Sequence, residues 1–174
     1  MSRIVDCDSF RRIYTAFVRP HLEYAQSVWA PHLIKQIKTL ENVQIRATKL
    51  VNGLGNLEYQ DRLRSLNLPT LVHRRRRGDM IEIFKHFHFY NKNTFSLLPT
   101  RISRKHEFQM YARTPKDGVR GIESNSFYQR TVKLWNNLPR NVVNAKCINS
   151  FKEKLDDHWK NEPTRYVVTQ PSDS

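Results

Sequence analysis

The chain has 174 residues, of which 39% are apolar with Tyr counted, and thirty Lys/Arg against sixteen Asp/Glu leave a net charge of +14 and a pI near 10.1. A core can form from this composition, but a thin one, and the cationic surplus concentrates polyanions near the surface: nucleic acid first, an anionic membrane surface second. Two cysteines, Cys7 and Cys147, lie too far apart for zinc-ligand spacing; no apolar run approaches a membrane span and no signal-peptide core follows Met1, so the sequence reads as intracellular, nuclear or cytoplasmic.

Asp8 precedes an i, i+3, i+4, i+7, i+8 apolar stripe of Phe10, Ile13, Tyr14, Phe17 and Val18, which predicts a helix over 9–19 with Asp8 as its cap. Pro20 then opens a short turn holding Leu22, Tyr24 and Trp29, and Pro31 closes it. A second helix over 33–52 carries Ile34, Ile37, Leu40, Gln44, Ala47 and Val51 on one face, with Lys35, Lys38, Arg46 and Lys49 off that face and Gly53 and Gly55 as its stop. A short helix over 58–66 turns Tyr59, Leu63 and Leu66 inward. Thr70 caps the longest helix, which reaches about Tyr90 through the run Arg74, Arg75, Arg76, Arg77.

Beyond Asn91 the helical period stops. Residues 106–113 alternate weakly, Pro115-Lys116-Asp117-Gly118 is a turn signal, and 119–122 can return as a second strand. Helices resume over 126–137 (Phe127, Val132, Trp135) and 148–160 (Ile148, Phe151, Leu155, Trp159), and a frayed tail follows Pro163. Trp29, Trp135 and Trp159 suit core anchors. The expected fold is mainly α: a thumb-like helical bundle, a small β-hairpin and two C-terminal helices, divided as 1–90, 91–162 and a disordered 163–174.

Chemistry-bearing constellations are few. Asp156-Asp157 diverge by about 100° on a helix and cannot converge on two metal ions. His86 and His88 sit two apart, not three or four, with no third ligand near. No nucleophile elbow or Gly-rich phosphate loop occurs, and Arg77-Gly78-Asp79 spells an adhesion tripeptide by coincidence on a helix. The basic features are stronger. From Asn67 to Glu123 the net charge is +7. Four successive arginines, Arg74 to Arg77, sweep round a helix, so some must meet solvent or phosphate unless acids such as Asp79 and Glu82 pair with them. Arg46 and Lys49 add to these. A second span interleaves Arg101, Arg104, Lys105, Arg113, Lys116 and Arg120 with Phe108, Tyr111, Phe127 and Tyr128, the mixture that neutralises a backbone while bases stack.

Several motifs occur in fixed order. Val18-Arg19-Pro20-His21-Leu22-Glu23-Tyr24 is followed by Trp29-Ala30-Pro31, then Leu40-Glu41-Asn42-Val43-Gln44 with Arg46-Ala47-Thr48-Lys49, then Leu66-Asn67-Leu68-Pro69 ahead of Arg74 to Asp79. Leu134-Trp135-Asn136-Asn137-Leu138-Pro139, Val142-Val143-Asn144-Ala145 and Asn149-Ser150-Phe151-Lys152 before Leu155-Asp156 complete the series. Together, over about Phe10 to Trp159, these resemble the region C-terminal to the palm in jockey-like and related LINE-type non-LTR retrotransposon reverse transcriptases. The resemblance implies a helical thumb and a post-thumb segment that position a template rather than perform chemistry. The family's Phe/Tyr-Ala-Asp-Asp metal-binding hairpin is not among these residues, nor is a Cys/His knuckle. The expectation is therefore a palm-less fragment of an RNA-directed DNA polymerase, not an enzyme by itself, needing no cofactor and holding no metal. It would bind RNA, DNA or their hybrid non-specifically, or dock a palm domain. The alternatives are a helical protein-interaction module and a translated relic without independent function.

Overall fold

The protein is described from a computed structural model, over residues 5–24, 33–90, 105–111 and 127–168. It is mainly helical. The helices are α1 (Cys7–Ile13), a π-helical segment (Tyr14–Val18), α2 (Arg19–Glu23), α3 (Ile34–Thr48), α4 (Tyr59–Leu66), α5 (Leu71–His88), α6 (Phe127–Asn136), α7 (Arg140–Val143), α8 (Ile148–His158) and a 3-10 turn (Pro163–Arg165). Two compact units divide the chain: 1–75 with 161–174, and 76–160. The division falls inside α5, whereas the sequence pattern suggests a change of character near residue 90.

In the first unit the N-cap is Asp6 rather than Asp8: its carboxylate accepts the Ser9 amide at 2.9 Å, and Asp8 lies in the first turn, where a negative charge suits the helix dipole. Pro20 does not break the chain's helical path. The turn ahead of it widens instead, and the Arg19 amide reaches back five residues to the Tyr14 carbonyl. A π-turn reassigns the donors around a residue that has none, so the helix continues to Glu23.

α3 ends at Thr48, and its inward face differs from the apolar stripe. Glu41, Gln44 and Thr48 are buried, while Ile34 is 43% exposed. These polar side chains are tolerated because each finds a partner. Tyr14 donates to the Gln44 Oε1 at 2.8 Å. Gln44 Nε2 donates to the Tyr59 hydroxyl and to the Pro69 carbonyl, and Tyr59 donates to Glu41 Oε1 at 2.6 Å. Arg62, 3% exposed, donates to the Thr48 hydroxyl and the Leu57 carbonyl and lies 5.6 Å from the Tyr59 ring centroid. Around this network Phe10, Tyr14, Val51, Leu54, Leu63, Leu66 and Leu68 form the apolar core.

α4 turns Leu63 and Leu66 inward as its spacing predicts. It closes at Asn67, which adopts a left-handed conformation (φ 48°), and the Leu68 amide reaches the Leu63 carbonyl at 2.9 Å. Thr70 caps α5 as expected: its Oγ1 accepts the His73 amide. Two further groups assist. Both Glu41 carboxylate oxygens accept the Leu71 amide at 3.2 Å, and Thr70 donates to the Thr164 carbonyl. The stretch after Pro163 is therefore not a frayed tail as far as Val168. Thr164 is buried, and the Arg165 carbonyl accepts the Thr70 amide.

The second unit is built on aromatic packing. Met80, Ile83, Phe84 and Phe87 of α5 meet Val132 and Trp135 of α6, Val142 and Val143 of α7, and Phe151 and Leu155 of α8. Trp135 and Trp159 are buried core residues, as the sequence suggests; Trp29 lies outside the described residues. The short helix α7 has no counterpart in the sequence reading. It is one turn long, and Pro139, at its N-cap, pre-sets its entry.

The expected β-hairpin is not shown. Its described part, 105–111, forms no strand, and its turn and second arm lie outside the described residues. Within the described part Met110 carries a single β-bridge, and it is also tied to α6: its amide donates to Asn136 Oδ1 and its carbonyl accepts Asn136 Nδ2, both at 2.8 Å. The side-chain amide at the end of α6 thus pins this residue against the helix.

His106 is wholly buried beside this clamp, with Nε2 3.2 Å from the Trp135 carbonyl. Burial is the main reason its imidazole titrates below the usual 6.5; the Trp135 carbonyl and Glu107 pull upward, and Lys105 and Arg140 push down. A lowered histidine favours the neutral form in the folded unit. Its contribution to stability is complete above about pH 6.5 and is lost as pH falls from there through the lowered value. The urea midpoint of the 76–160 unit is expected to drop between about pH 7 and pH 5, and His106→Gln to flatten that dependence.

Candidate nucleic-acid interface

The densest basic run is largely consumed by the fold. Arg74 forms a bidentate pair with Glu23, with Nε and an Nη each 2.9 Å from a carboxylate oxygen. Glu23 is also approached by Arg19 at 3.5 Å. Arg75 is 7% exposed, and its charge favours ionisation of Glu41. Arg77 grips Asp156 at 2.6 and 2.8 Å. Arg76 is partly exposed. Guanidinium groups held bidentate by carboxylates are already supplied with the planar acceptor they would seek in a phosphate. Arg74 and Arg77 are held by the distant acids Glu23 and Asp156. Asp79 holds Arg130 at 3.0 and 3.2 Å, and Glu82 lies against Lys85 and His86.

These contacts also place the other sequence candidates. Asp156 is a structural ion-pair partner; both charged ends of Arg77-Gly78-Asp79 are engaged within the unit. His88 Nε2 lies 3.2 Å from the Val143 carbonyl, whereas His86 faces Glu82. Among the described residues no group of three His, Cys, Asp or Glu side chains could hold a metal ion, and no helix is long and apolar enough to cross a membrane. In the cation–aromatic span, Lys105 is exposed and donates to Asn137 Oδ1 at 2.8 Å, Tyr111 is 54% exposed, and Tyr128 donates to the Tyr111 carbonyl. Arg101, Arg104, Arg113, Lys116 and Arg120 lie outside the described residues.

Arg46 and Lys49 stand differently. Both are exposed on the outer face of α3, and Lys35 and Lys38 stand on the same face. At about 100° per residue, positions 35, 38, 46 and 49 fall within an arc of about 80°, opposite the buried Glu41, Gln44 and Thr48. The stripe is about 21 Å long at 1.5 Å per residue. None of the four cations has an ion-pair partner among the described residues. The only acid within α3 is Glu41, and it is turned inward. Among the described residues, the outer face therefore carries four positive charges without an ion-pair partner and no negative one.

Lys35 and Lys38 are the members that sequence reasoning passed over in favour of the arginine run. The available signal is periodic: cations at i, i+3, i+11 and i+14 share one helical face. Run density does not carry that information, because consecutive residues point in different directions. No protein-family model matches the chain, and neither a curated protein sequence nor a solved structure shows significant similarity to it.

Proposed function

We propose that this chain is the region C-terminal to the palm of a LINE-type retrotransposon RNA-directed DNA polymerase, that it binds RNA, DNA or their hybrid through phosphate contacts, and that residues 1–174 do not polymerise by themselves. The motif series from Phe10 to Trp159 supports the family reading. The cationic stripe Lys35, Lys38, Arg46 and Lys49 carries the binding reading, because exposed cations without internal partners are the ones that can release counterions from a polyanion.

Four phosphates neutralised predict a slope of log affinity against log salt near −3.6 for duplex DNA, or roughly a hundredfold loss between ~50 and ~200 mM salt. Fluorescence anisotropy across a salt series checks this. Replacing all four cations with glutamine is expected to flatten the slope and abolish most binding, whereas Arg77→Gln changes stability more than the slope. Absence of binding to any nucleic acid at ~50 mM salt defeats the proposal, and so does a quadruple variant that binds like the parent. A primer–template assay with nucleotides and Mg²⁺ is expected to give no extension.

A second reading, a protein-docking module, is favoured by one observation. Ile13 and Phe17, one helical step apart in the α1–π segment, are 55% and 71% exposed. Sedimentation velocity distinguishes it: self-association that Phe17→Glu abolishes, with no nucleic-acid binding, supports docking.

A further inference from the structure

The stripe on α3 has a centre, and the centre is not a cation. Asn42 lies four residues from Lys38 and from Arg46, and seven from Lys35 and from Lys49. At 100° per residue it also lies at the middle of their arc. Its side chain is exposed, and its amide makes no hydrogen bond among the described residues. The neighbouring hydroxyl, that of Thr39, is occupied with the Lys35 carbonyl at 2.8 Å. An amide with an NH2 donor group and a carbonyl acceptor thus stands between two pairs of cations.

The helix is fixed in this orientation. Turning Asn42 away from solvent would withdraw Glu41 and Gln44 from Tyr59, Leu71 and Pro69. A pre-oriented face loses little freedom on binding.

Resting on the reading of the stripe as a nucleic-acid interface, we propose that α3 enters the major groove of duplex DNA, where Asn42 reads an adenine while Lys35, Lys38, Arg46 and Lys49 hold the backbone on either side. Three physical matches support it. Phosphate contacts set register and a base-edge contact adds sequence preference, which is the division of labour between these five side chains. A carboxamide presents the donor–acceptor pair that complements adenine N7 and N6 in the major groove. The inner cations, Lys38 and Arg46, are about 12 Å apart along the axis, comparable with the ~12 Å width of that groove, which admits a helix. An A-form RNA duplex does not offer this site, because its major groove is too deep and narrow for side chains to read.

The test is selection by the full chain from a pool of ~20-base-pair DNA duplexes with a randomised centre, followed by anisotropy on the enriched sequence. The parent is expected to enrich adenine at a fixed position. Substituting 7-deazaadenine there removes the N7 acceptor and is expected to weaken binding about tenfold. Asn42→Ala is expected to lose both the enrichment and the 7-deazaadenine penalty, and Lys38→Gln with Arg46→Gln to lower affinity for every sequence alike. Binding without base preference, enrichment that survives Asn42→Ala, or tighter binding to an RNA duplex or single strand of equal length overturns the inference. If the lysine and arginine substitutions still weaken binding in those cases, phosphate contact by the stripe stands. Absence of any binding removes both.

Discussion

Replacing Trp135 with alanine is expected to destabilise the 76–160 unit by about 3–5 kcal/mol. The indole is wholly buried, its ring centroid is 5.5 Å from that of Phe87 and 6.1 Å from that of Phe151, and its Nε1 donates to the Phe108 carbonyl at 2.8 Å. Truncation leaves a cavity among Phe87, Phe151 and His106 and strands the Phe108 carbonyl. Domains of this size are stable by only about 5–15 kcal/mol, so the loss is a large share of the total. Urea unfolding followed by near-ultraviolet circular dichroism measures it. Trp135→Phe retains ring packing but not the hydrogen bond and is expected to cost less. Equal midpoints for the parent and Trp135→Ala would show that this ring is not the keystone of the aromatic core.

Glu41→Ala is expected to cost the first unit about 3 kcal/mol, an effect of the kind that follows when a buried charge's partners are left alone. The carboxylate accepts from the Tyr59 hydroxyl and from the Leu71 amide at the start of α5, so its removal uncaps the longest helix and breaks a chain of donors running from Tyr14 through Gln44 and Tyr59. Burial raises the Glu41 pKa, and the Tyr59 hydroxyl, the Leu71 amide and Arg75 oppose that rise. The folded unit thus holds this proton more tightly than the unfolded chain. The stabilisation belongs to acid pH and is lost as pH rises through the raised value, so the carboxylate sits at neutral pH against a desolvation cost. Glu41→Gln keeps an acceptor without the charge. It is expected to cost less than alanine and to remove this part of the pH dependence. Chemical denaturation at pH 4.5 and pH 7 compares the three proteins.

Arginine substitutions divide along the same line between scaffold and surface. Arg74 and Arg77 are bound by Glu23 and Asp156, 51 and 79 residues away in sequence. No local pattern forecasts such pairs, because helical spacing pairs a residue only with neighbours three or four apart. The same limit explains the polar interior of α3. Glu41 reads as a surface residue by type, and Gln44, though its spacing sets it on the inward face, needs polar partners there; only the convergence of the π segment, α4 and the start of α5 supplies the partners that permit burial.

Helix existence and much of the inward patterning are carried by local chemistry. Period and capping alone locate α4, α5, α6 and α8, because apolar spacing, Thr70 and the Leu138-Pro139 break act within a few residues. The placement of Lys35, Lys38, Arg46 and Lys49 on one face of α3 follows from spacing as well. Tertiary structure decided what spacing cannot reach: that the Asn136 side chain ties Met110 to α6, that Thr164 returns to the start of α5, and that Arg74 and Arg77 serve carboxylates while the cations of α3 stay open. The physical reason is range. Propensity and periodicity act over one or two turns, whereas the choice of partner for a buried amide, hydroxyl or guanidinium depends on whichever distant group the folded chain brings within about 3 Å.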